Sequence, residues 1–224
     1  MTGVLLLALV AVAVLAVAHR RSATAAARER AAVLDDVVDL LDDVRAAGHR
    51  GTHPTLSGTV DGRPVTLRPI VDSLTMRKLP VLWLEVVVRR DLPVAAPLNL
   101  LARPTGTEFF SPDGRYDHEI APPDGGPRPA RVSTTDPGRA PDAAVLEPAG
   151  DLLRDPRLKE VGLGRGGVRA VWLVAEADQG AYRLGRRAVF GPARVAAPDL
   201  RRLLAALTAI GDRAAHTPAE RSPA

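Results

Sequence analysis

Four side chains in the stretch D-G-R-Y-D-H-E have the chemistry of metal ligands: Asp113, Asp117, His118 and Glu119. Carboxylate oxygens with one imidazole can bind a divalent cation, although the spacing differs from the D-x-D-x-D-G pattern of a calcium loop. Pro and Gly are frequent throughout residues 111–129, which predicts a long loop. This loop is therefore the candidate metal site. A hydrolase or metal-dependent enzyme that uses it is one hypothesis for the function.

A glycine-rich motif, G-L-G-R-G-G at 162–167, satisfies G-x-G-x-x-G. In a dinucleotide-binding fold this motif follows a strand and opens a helix, so that the helix N-terminus faces the pyrophosphate. Here the pattern predicts helical residues before the motif and a strand, V-R-A-V-W-L-V, after it. We therefore interpret the glycines as a helix C-cap and a turn, and we predict no cofactor site.

Other residues with catalytic potential lack a supporting context. His49 and His53 are four residues apart, as in zinc-binding helices, but Gly and Pro residues around them interrupt any continuous helix. The chain has no Cys and no G-x-S-x-G, S-x-x-K or H-E-x-x-H motif. We predict no catalytic residue, and enzymatic activity stays open. The serines considered as nucleophiles lie in predicted turns or strands without a neighbouring His in the sequence: Ser57, Ser73, Ser111 and Ser133.

The basic residues do not form a nucleic-acid-binding pattern. The formal net charge is +4 and the isoelectric point is about 10.2. The arginines occur in pairs, such as Arg89-Arg90 and Arg201-Arg202, with Asp and Glu between them, which indicates a solvated surface of mixed charge. Only seven residues are Phe, Trp or Tyr, so few side chains could stack on bases. We expect no nucleic-acid partner.

The N-terminal segment predicts a membrane anchor. Residues 3–18 form an uncharged run of 16 residues, about 24 Å long as a helix, and His19, Arg20 and Arg21 follow it. We assign residues 1–19 as a transmembrane helix. The alternatives are a cleaved signal peptide, because Ala16-Val17-Ala18 fits an A-x-A site, and a buried core helix. A signal peptide normally has a basic residue before the apolar run, and none is present here.

Charge on the C-terminal side of this run predicts the orientation. Arg20, Arg21, Arg28 and Arg30 follow it and are offset only by Glu29. The positive-inside rule places such a flank in the cytoplasm, next to anionic lipid headgroups. We expect a single-pass protein of the bacterial cell membrane with residues 20–224 in the cytoplasm.

Residues 20–48 are predicted to form a juxtamembrane amphipathic helix that ends at Gly48. Ala is abundant, Gly and Pro are absent from residues 22–47, and Leu34, Val37, Leu41 and Val44 recur at helical spacing. Two hypotheses fit this stripe. The helix either lies on its own domain or forms a short dimer seam, for which two heptads are few.

The remaining chain predicts an α+β domain over residues 50–213. Its fold is a mostly antiparallel sheet with helices on one face. A hairpin is predicted at the start of the domain. Its strands are Thr55–Val60 and Arg63–Arg68, and Asp61-Gly62 forms the type I′ turn between them. Residues 145–162 read as two helical pieces, residues 182–195 as a weak strand or hairpin, and residues 197–213 as the last helix. Residues 214–224 are a polar tail that we expect to be disordered. Further strands are predicted at Leu79–Arg90 (buried on both faces), Leu98–Arg103, Ala130–Thr135 and Val168–Glu176.

The chain resembles a class of N-terminally membrane-anchored proteins of GC-rich bacteria. The resemblance rests on G-T-V-D-G-R-P-V at 58–65, L-P-V-A-A-P-L-N-L at 92–100, S-T-T-D-P at 133–137 and the closing Leu-rich helix. It covers about residues 55–210. It implies the layout of an anchor followed by a domain, and it implies no activity.

Three hypotheses for the function follow. The first is a membrane-anchored α+β domain that binds another protein, because an anchor is present and no catalytic motif is. The second is the hydrolase or metal-dependent enzyme that uses residues 111–129. The third is a subunit of a bacterial envelope assembly or secretion machine.

Overall fold

A long apolar helix, α1 (Thr2–Ala32), opens the structure, which is a computed structural model that describes residues 2–49, 51–73, 79–106 and 108–216. This helix is long and apolar enough to cross a membrane. Its large apolar side chains between Leu6 and Val17 are 51–73% exposed, so they do not contribute to the core of the domain. The helix is therefore not a buried core helix, and by length and composition it could anchor the protein in a membrane.

The predicted amphipathic helix over residues 20–48 is wrong beyond Ala32. A 3-10 helix at Asp35–Leu40 and the first strand, at Asp42–Ala47, follow instead. Leu34, Val37 and Leu41 are 1%, 0% and 6% exposed and belong to the core, which leaves no dimer seam. The reason is that Asp and Val are poor helix formers, and this segment is rich in both. Burial of its apolar side chains under the sheet outweighs a helical stripe that would face solvent.

The domain is built on one nine-stranded antiparallel sheet, which confirms the predicted α+β class. The strand order is β1-β2-β3-β4-β9-β8-β5-β7-β6. The longest pairings join β3, β4 and β9 in the middle of the sheet. The strands are β1 (Asp42–Ala47), β2 (Thr55–Val60), β3 (Arg63–Asp72), β4 (Val81–Arg89), β5 (Leu98–Ala102), β6 (His118–Ile120), β7 (Ala130–Thr134), β8 (Leu158–Gly164) and β9 (Gly167–Glu176).

The hairpin of β2 and β3 turns as predicted. Asp61 and Gly62 both have positive φ, 50° and 72°, and Val60 pairs with Arg63 across the turn. A type I′ turn needs left-handed backbone at both central residues, which Asp tolerates and Gly adopts freely.

Two predicted elements differ in the structure. Residues 158–164 form strand β8 and not the second helical piece; the helical part ends at Arg154, before Asp155-Pro156. Residues 182–195 hold no strand, because the helix α3 (Gln179–Gly185) occupies their start. The Asp178 side chain accepts a hydrogen bond from the backbone N–H of Ala181, and this N-cap favours a helical turn.

Helices cover one face of the sheet, which we call the inner face. The helix α4 (Ala197–His216) packs on β4 and β9, together with a 3-10 helix at Ala143–Ala149 and the short α2 (Gly150–Arg154). The residues predicted as the buried face of α4 are 0–6% exposed: Leu200, Leu203, Leu204, Leu207 and Ile210. Because α4 continues to His216, the predicted tail is helical at its start; residues 217–224 lie outside the described residues.

Strand β4 alternates between two environments and is not buried equally on both faces. Leu82, Leu84, Val86 and Val88 point to the inner face and are at most 4% exposed. Trp83 points to the opposite face and is half-buried, whereas Trp172 is 2% exposed in the core. Trp83 is therefore less deeply buried than Trp172, because successive strand residues face opposite sides.

We predict that Trp172→Ala lowers the free energy of unfolding by about 3–5 kcal/mol, as for other buried large side chains. Trp83→Ala should cost less than Trp172→Ala, because the Trp83 side chain is only partly buried, on the outer side of β4. Denaturant titrations of the full chain in detergent, followed by far-UV circular dichroism, measure both values. Equal losses in the two variants would contradict the opposite placement of the rings.

Candidate functional site

The face of the sheet opposite α4, which we call the outer face, is covered by a loop. We call residues 103–106 and 108–117 the covering segment. Lys159 of β8 donates hydrogen bonds from Nζ to the Arg103 carbonyl (2.8 Å) and pairs with the Glu108 carboxylate (2.6 Å). Ser111 Oγ donates to Glu160 Oε1 at 2.9 Å. Side chains of the sheet thus hold the covering segment at three separate points.

A row of charged side chains crosses the outer face beneath this segment. Glu85 accepts hydrogen bonds from Arg68 Nε and Arg169 Nε, both at 2.6 Å. Arg169 Nη1 lies 3.0 Å from Glu160 Oε1, and Arg169 Nη2 donates to the Phe110 carbonyl at 3.0 Å. The register explains the row, because Arg68 stands directly opposite Glu85 on the neighbouring strand.

The pKa values of the two carboxyl groups in this row are shifted in opposite directions. Burial by itself would raise the pKa of Glu85, but hydrogen bonds from Arg68 and Arg169 outweigh it, and the pKa lies below its usual range. Glu160 is fully buried, and burial raises its pKa despite Arg169 and Ser111. Burial therefore favours the neutral form of Glu160. The contribution of this neutral carboxyl to stability declines as the pH rises above the usual pKa of Glu.

Asn99 adds a polar group that the protein does not satisfy. It is 1% exposed, and its amide approaches Glu160 without completing a hydrogen bond to any described residue. Its Oδ1 sits over Gly162 on the paired strand, where a Cβ would lie 3.2 Å away. The glycine therefore provides the space that the Asn99 side chain occupies.

The predicted metal ligands do not meet in the structure. Asp113 is 3% exposed; its Oδ1 accepts a hydrogen bond from Ser133 Oγ at 2.5 Å, and its Oδ2 pairs with Arg131. Asp117, His118 and Glu119 are exposed, the last two on the edge strand β6. Among the described residues no group of three or more His, Asp or Glu side chains is arranged to hold a metal ion. Asp113 instead fixes the covering segment to β7.

Residues 111–129 are accordingly less irregular than predicted. A 3-10 turn at Asp113–Arg115 and the strand β6 interrupt the loop. Strand β6 pairs with β7, opposite Ser133 and Val132. Edge pairing of three residues was not evident in a stretch so rich in Pro and Gly.

The remaining sequence motifs have structural positions. The glycines at 162–167 form the β8–β9 hairpin, so the predicted turn is correct but the helix C-cap is wrong. Gly167 has φ of 130°, and a Cβ there would lie 2.2 Å from the Val88 carbonyl oxygen. His49 and His53 flank a turn, and the His53 ring contacts Phe190 with centroids 6.5 Å apart. Of the four serines, Ser111 and Ser133 donate to carboxylates; Ser57 lies on β2, and Ser73 directly follows β3.

An aromatic patch lies on the outer face beside the charged row; it consists of Trp83, Phe109 and Phe110. The Trp83 and Phe110 rings have centroids 5.9 Å apart, and Phe109 and Phe110 are 5.5 Å apart in an edge-to-face arrangement. Phe109 is 53% exposed. The bond from Arg169 to the Phe110 carbonyl fixes the backbone that presents both Phe rings.

No local sequence pattern predicted the charged row or the aromatic patch. The available signal was a single charge inside an otherwise apolar strand: Glu85 in L-P-V-L-W-L-E-V-V-V and Arg169 in V-R-A-V-W-L-V. Such a charge in a buried strand needs a partner, because an unpaired buried ion is costly. The partner could not be identified without the strand order.

Comparisons with known proteins add little to this site. No protein-family model matches the chain, and no curated protein sequence matches it. Among solved structures, it is similar to the crystal structure of the mycobacterial trehalose monomycolate transport factor A, TtfA. The identity is 10%, the alignment covers 83% of this chain and 82% of that chain, and the TM-score is 0.38. A similarity this low transfers neither a site nor an activity, so the function is argued from the residues.

The change in the free energy of unfolding at acid pH should depend on the ionisation of Glu108. Burial opposes its ionisation, but hydrogen bonds from Lys159 and Thr105 lower its pKa to about 2. This carboxylate therefore stabilises the fold above the usual Glu pKa, and the contribution is lost as the pH falls toward about 2. We predict that Glu108→Gln is less stable than the wild type at pH 7 and that the difference shrinks as the pH falls from 4.5 to 2.

Urea unfolding at a series of pH values gives this difference. Glu119→Gln, on the exposed edge strand, is the matched control and should follow the wild-type curve. A Glu108→Gln difference that stays constant over the whole range would show that ionisation of this carboxylate does not stabilise the fold.

Proposed function

We propose that this chain is a single-pass protein of the bacterial cell membrane whose α+β domain binds another protein through the outer face. The observation that carries the proposal is the aromatic patch. An exposed Phe109 is held in a defined position next to a row of ion pairs, on the side of the sheet that carries no helix.

The composition of the outer face supports a protein partner. Aromatic residues and Arg are the side chains that contribute most binding energy in protein interfaces. The chain has only seven aromatic residues, and three of them form this patch. The ion pairs and hydrogen bonds of the site hold the covering segment, so they serve to fix a surface in advance of binding. A surface fixed in this way loses little conformational entropy on association.

The anchor places this surface at the membrane. Residues 3–18 supply the apolar contact, and the exposure of the large apolar side chains from Leu6 to Val17 is what a lipid-facing helix requires. Arg20, Arg21, Arg28 and Arg30 follow on the same helix, where they would attract anionic lipid headgroups. The same arginines favour a cytoplasmic domain by the positive-inside rule.

A photo-crosslinking analogue of Phe at position 109 of the full chain tests the binding surface. In native membranes we expect a discrete adduct with one protein, which mass spectrometry identifies. For that purified partner, Phe109→Ala should weaken binding about 30-fold, the factor that corresponds to a hot-spot loss of about 2 kcal/mol. The stability of the domain should fall only slightly, because about half of the Phe109 side chain is exposed.

The matched control carries the same crosslinker at Asp151, whose side chain is 88% exposed on the helix-covered side. That position should give no adduct with the same protein. Identical adducts from both positions, or none from position 109, would contradict the proposed surface.

The orientation has its own test. A reporter that is active only in the cytoplasm should be active when fused after residue 224, and a reporter that needs export should stay inactive. The physical reason is the excess of Arg behind the apolar run. The opposite pattern of activities would place the domain outside the cytoplasm, and an N-terminus at His19 in the mature protein would identify a cleaved signal.

A further inference from the structure

A second basic surface lies far from the N-terminal arginines in sequence. Residues 179–194, which we call the basic segment, contain four Arg and no Asp or Glu. The segment begins with α3, which buries none of its residues. Leu184 on this helix is 93% exposed; apart from α1, only it and Phe109 stand out as large exposed apolar side chains in the described part of the chain. The four arginines are Arg183, Arg186, Arg187 and Arg194.

The fold brings the basic segment to the junction between anchor and domain. The backbone N–H of Val195 donates to the Val33 carbonyl at 2.9 Å, one residue beyond the end of α1. Phe190 contacts the His53 ring with centroids 6.5 Å apart. Burial lowers the pKa of His53, and the positive charge of Arg30 on α1 lowers it further. The end of α1, His53 and the basic segment therefore form one surface.

The arginines of the segment are available for an external partner. The Arg186 guanidinium stacks on the Tyr182 ring, 5.6 Å from its centroid, and Arg194 donates to the neighbouring Ala193 carbonyl. Neither contact neutralises a charge. Asp178, the nearest acid along the chain before the segment, caps α3 through the Ala181 N–H.

We propose that the basic segment is a second membrane contact, in which its arginines bind anionic lipid headgroups and Leu184 enters the interface. We infer a lipid surface as the partner from charge complementarity and from continuity with α1. An exposed Leu between arginines, without acidic residues, is typical of a segment that binds a membrane surface. The inference rests on the proposed anchoring by α1.

The distances allow this contact when α1 is tilted. Arg30 lies twelve residues after Ala18, about 18 Å along an upright helix, and the headgroup layer occupies roughly 5–7 Å of that. The remaining gap is about 11–13 Å, roughly one and a half Debye lengths at physiological salt, so an upright helix would leave the segment short of the headgroups. A tilt of α1, which transmembrane helices commonly show, moves one side of the junction toward the lipid. The attraction between the arginines of the basic segment and anionic headgroups would favour the tilt that brings this segment to the lipid surface.

A single fluorescent label tests the contact, and the absence of Cys from the chain makes the labelling specific. The full chain with Leu184→Cys is labelled and reconstituted into vesicles of phosphatidylglycerol and phosphatidylcholine that carry a headgroup quencher. We expect strong quenching in these vesicles and weak quenching in vesicles of phosphatidylcholine alone. Salt at 1 M, which shortens the Debye length to about 3 Å, should remove most of the difference.

Two matched variants complete the design. The label at Asp151→Cys, on the exposed end of the helix layer, should be unquenched in both lipids. Combining Leu184→Cys with Arg183→Gln, Arg186→Gln and Arg187→Gln should abolish the quenching, since each Arg near an anionic surface contributes about a fivefold factor in partitioning.

Flotation of the same vesicles separates the two proposals. Failure of the chain to float after a high-salt wash would overturn the anchoring by α1. A chain that floats but shows equal, weak quenching at positions 184 and 151 would overturn the second contact alone. Quenching that is equally strong in neutral and anionic vesicles would also overturn it, because the arginines would then play no part.

Discussion

The arrangement of the outer face depends on the contacts that the Arg169 guanidinium makes with its neighbours. The guanidinium contacts Glu85 on β4, Glu160 on β8 and the Phe110 carbonyl of the covering segment. A guanidinium has five N–H donors in a rigid plane, so one side chain can hold three partners at defined positions, which a Lys could not do as well. Without this cation, two buried carboxylates would face each other across a sheet in a poorly hydrated site. The Arg169 guanidinium therefore contributes directly to the position of the exposed aromatic ring, together with the contacts of Lys159 and Ser111.

The two faces of the sheet have different physical tasks. The inner face carries Leu, Val and Ala side chains under α4, and their removal from water is the main source of stability. The outer face carries buried charges, which add little to stability because desolvation offsets their attraction. They do specify one conformation of the covering segment, since each charge has few possible partners. Stability and the shape of the candidate binding surface therefore come from opposite sides of the same strands.

The connection between anchor and domain is packed and not a loose linker. Leu34, Val37 and Leu41 enter the core within ten residues of the end of α1. The backbone bond from Val195 to Val33 holds the junction from the other side. A domain attached in this way keeps a restricted orientation relative to α1. Both the outer face and the basic segment therefore have defined positions relative to α1.

Local patterns in the sequence determined the elements whose signals lie within a few residues. The apolar run, the Asp61-Gly62 turn, the strands at β4, β5, β7 and β9, and the Leu-rich face of α4 were all predictable, because turn geometry and burial period are local properties. The failures share one cause. Residues 33–47 and 158–164 have patterns compatible with helix or strand, and the partner on which they pack decided between the two.

In the candidate site, the difference between what the sequence determined and what the fold decided is larger. A lone Glu85 or Arg169 in an apolar strand indicated that a buried partner must exist, and the sequence alone determined no more than that. Which charge meets which depends on the strand order, which joins residues separated by 17 and 84 positions in the chain. Asp113 had the chemistry of a metal ligand, and only the fold showed that Arg131 and Ser133 occupy its carboxylate. Long-range pairing is a property of the whole sheet, because the strand order decides which strands distant in sequence become neighbours.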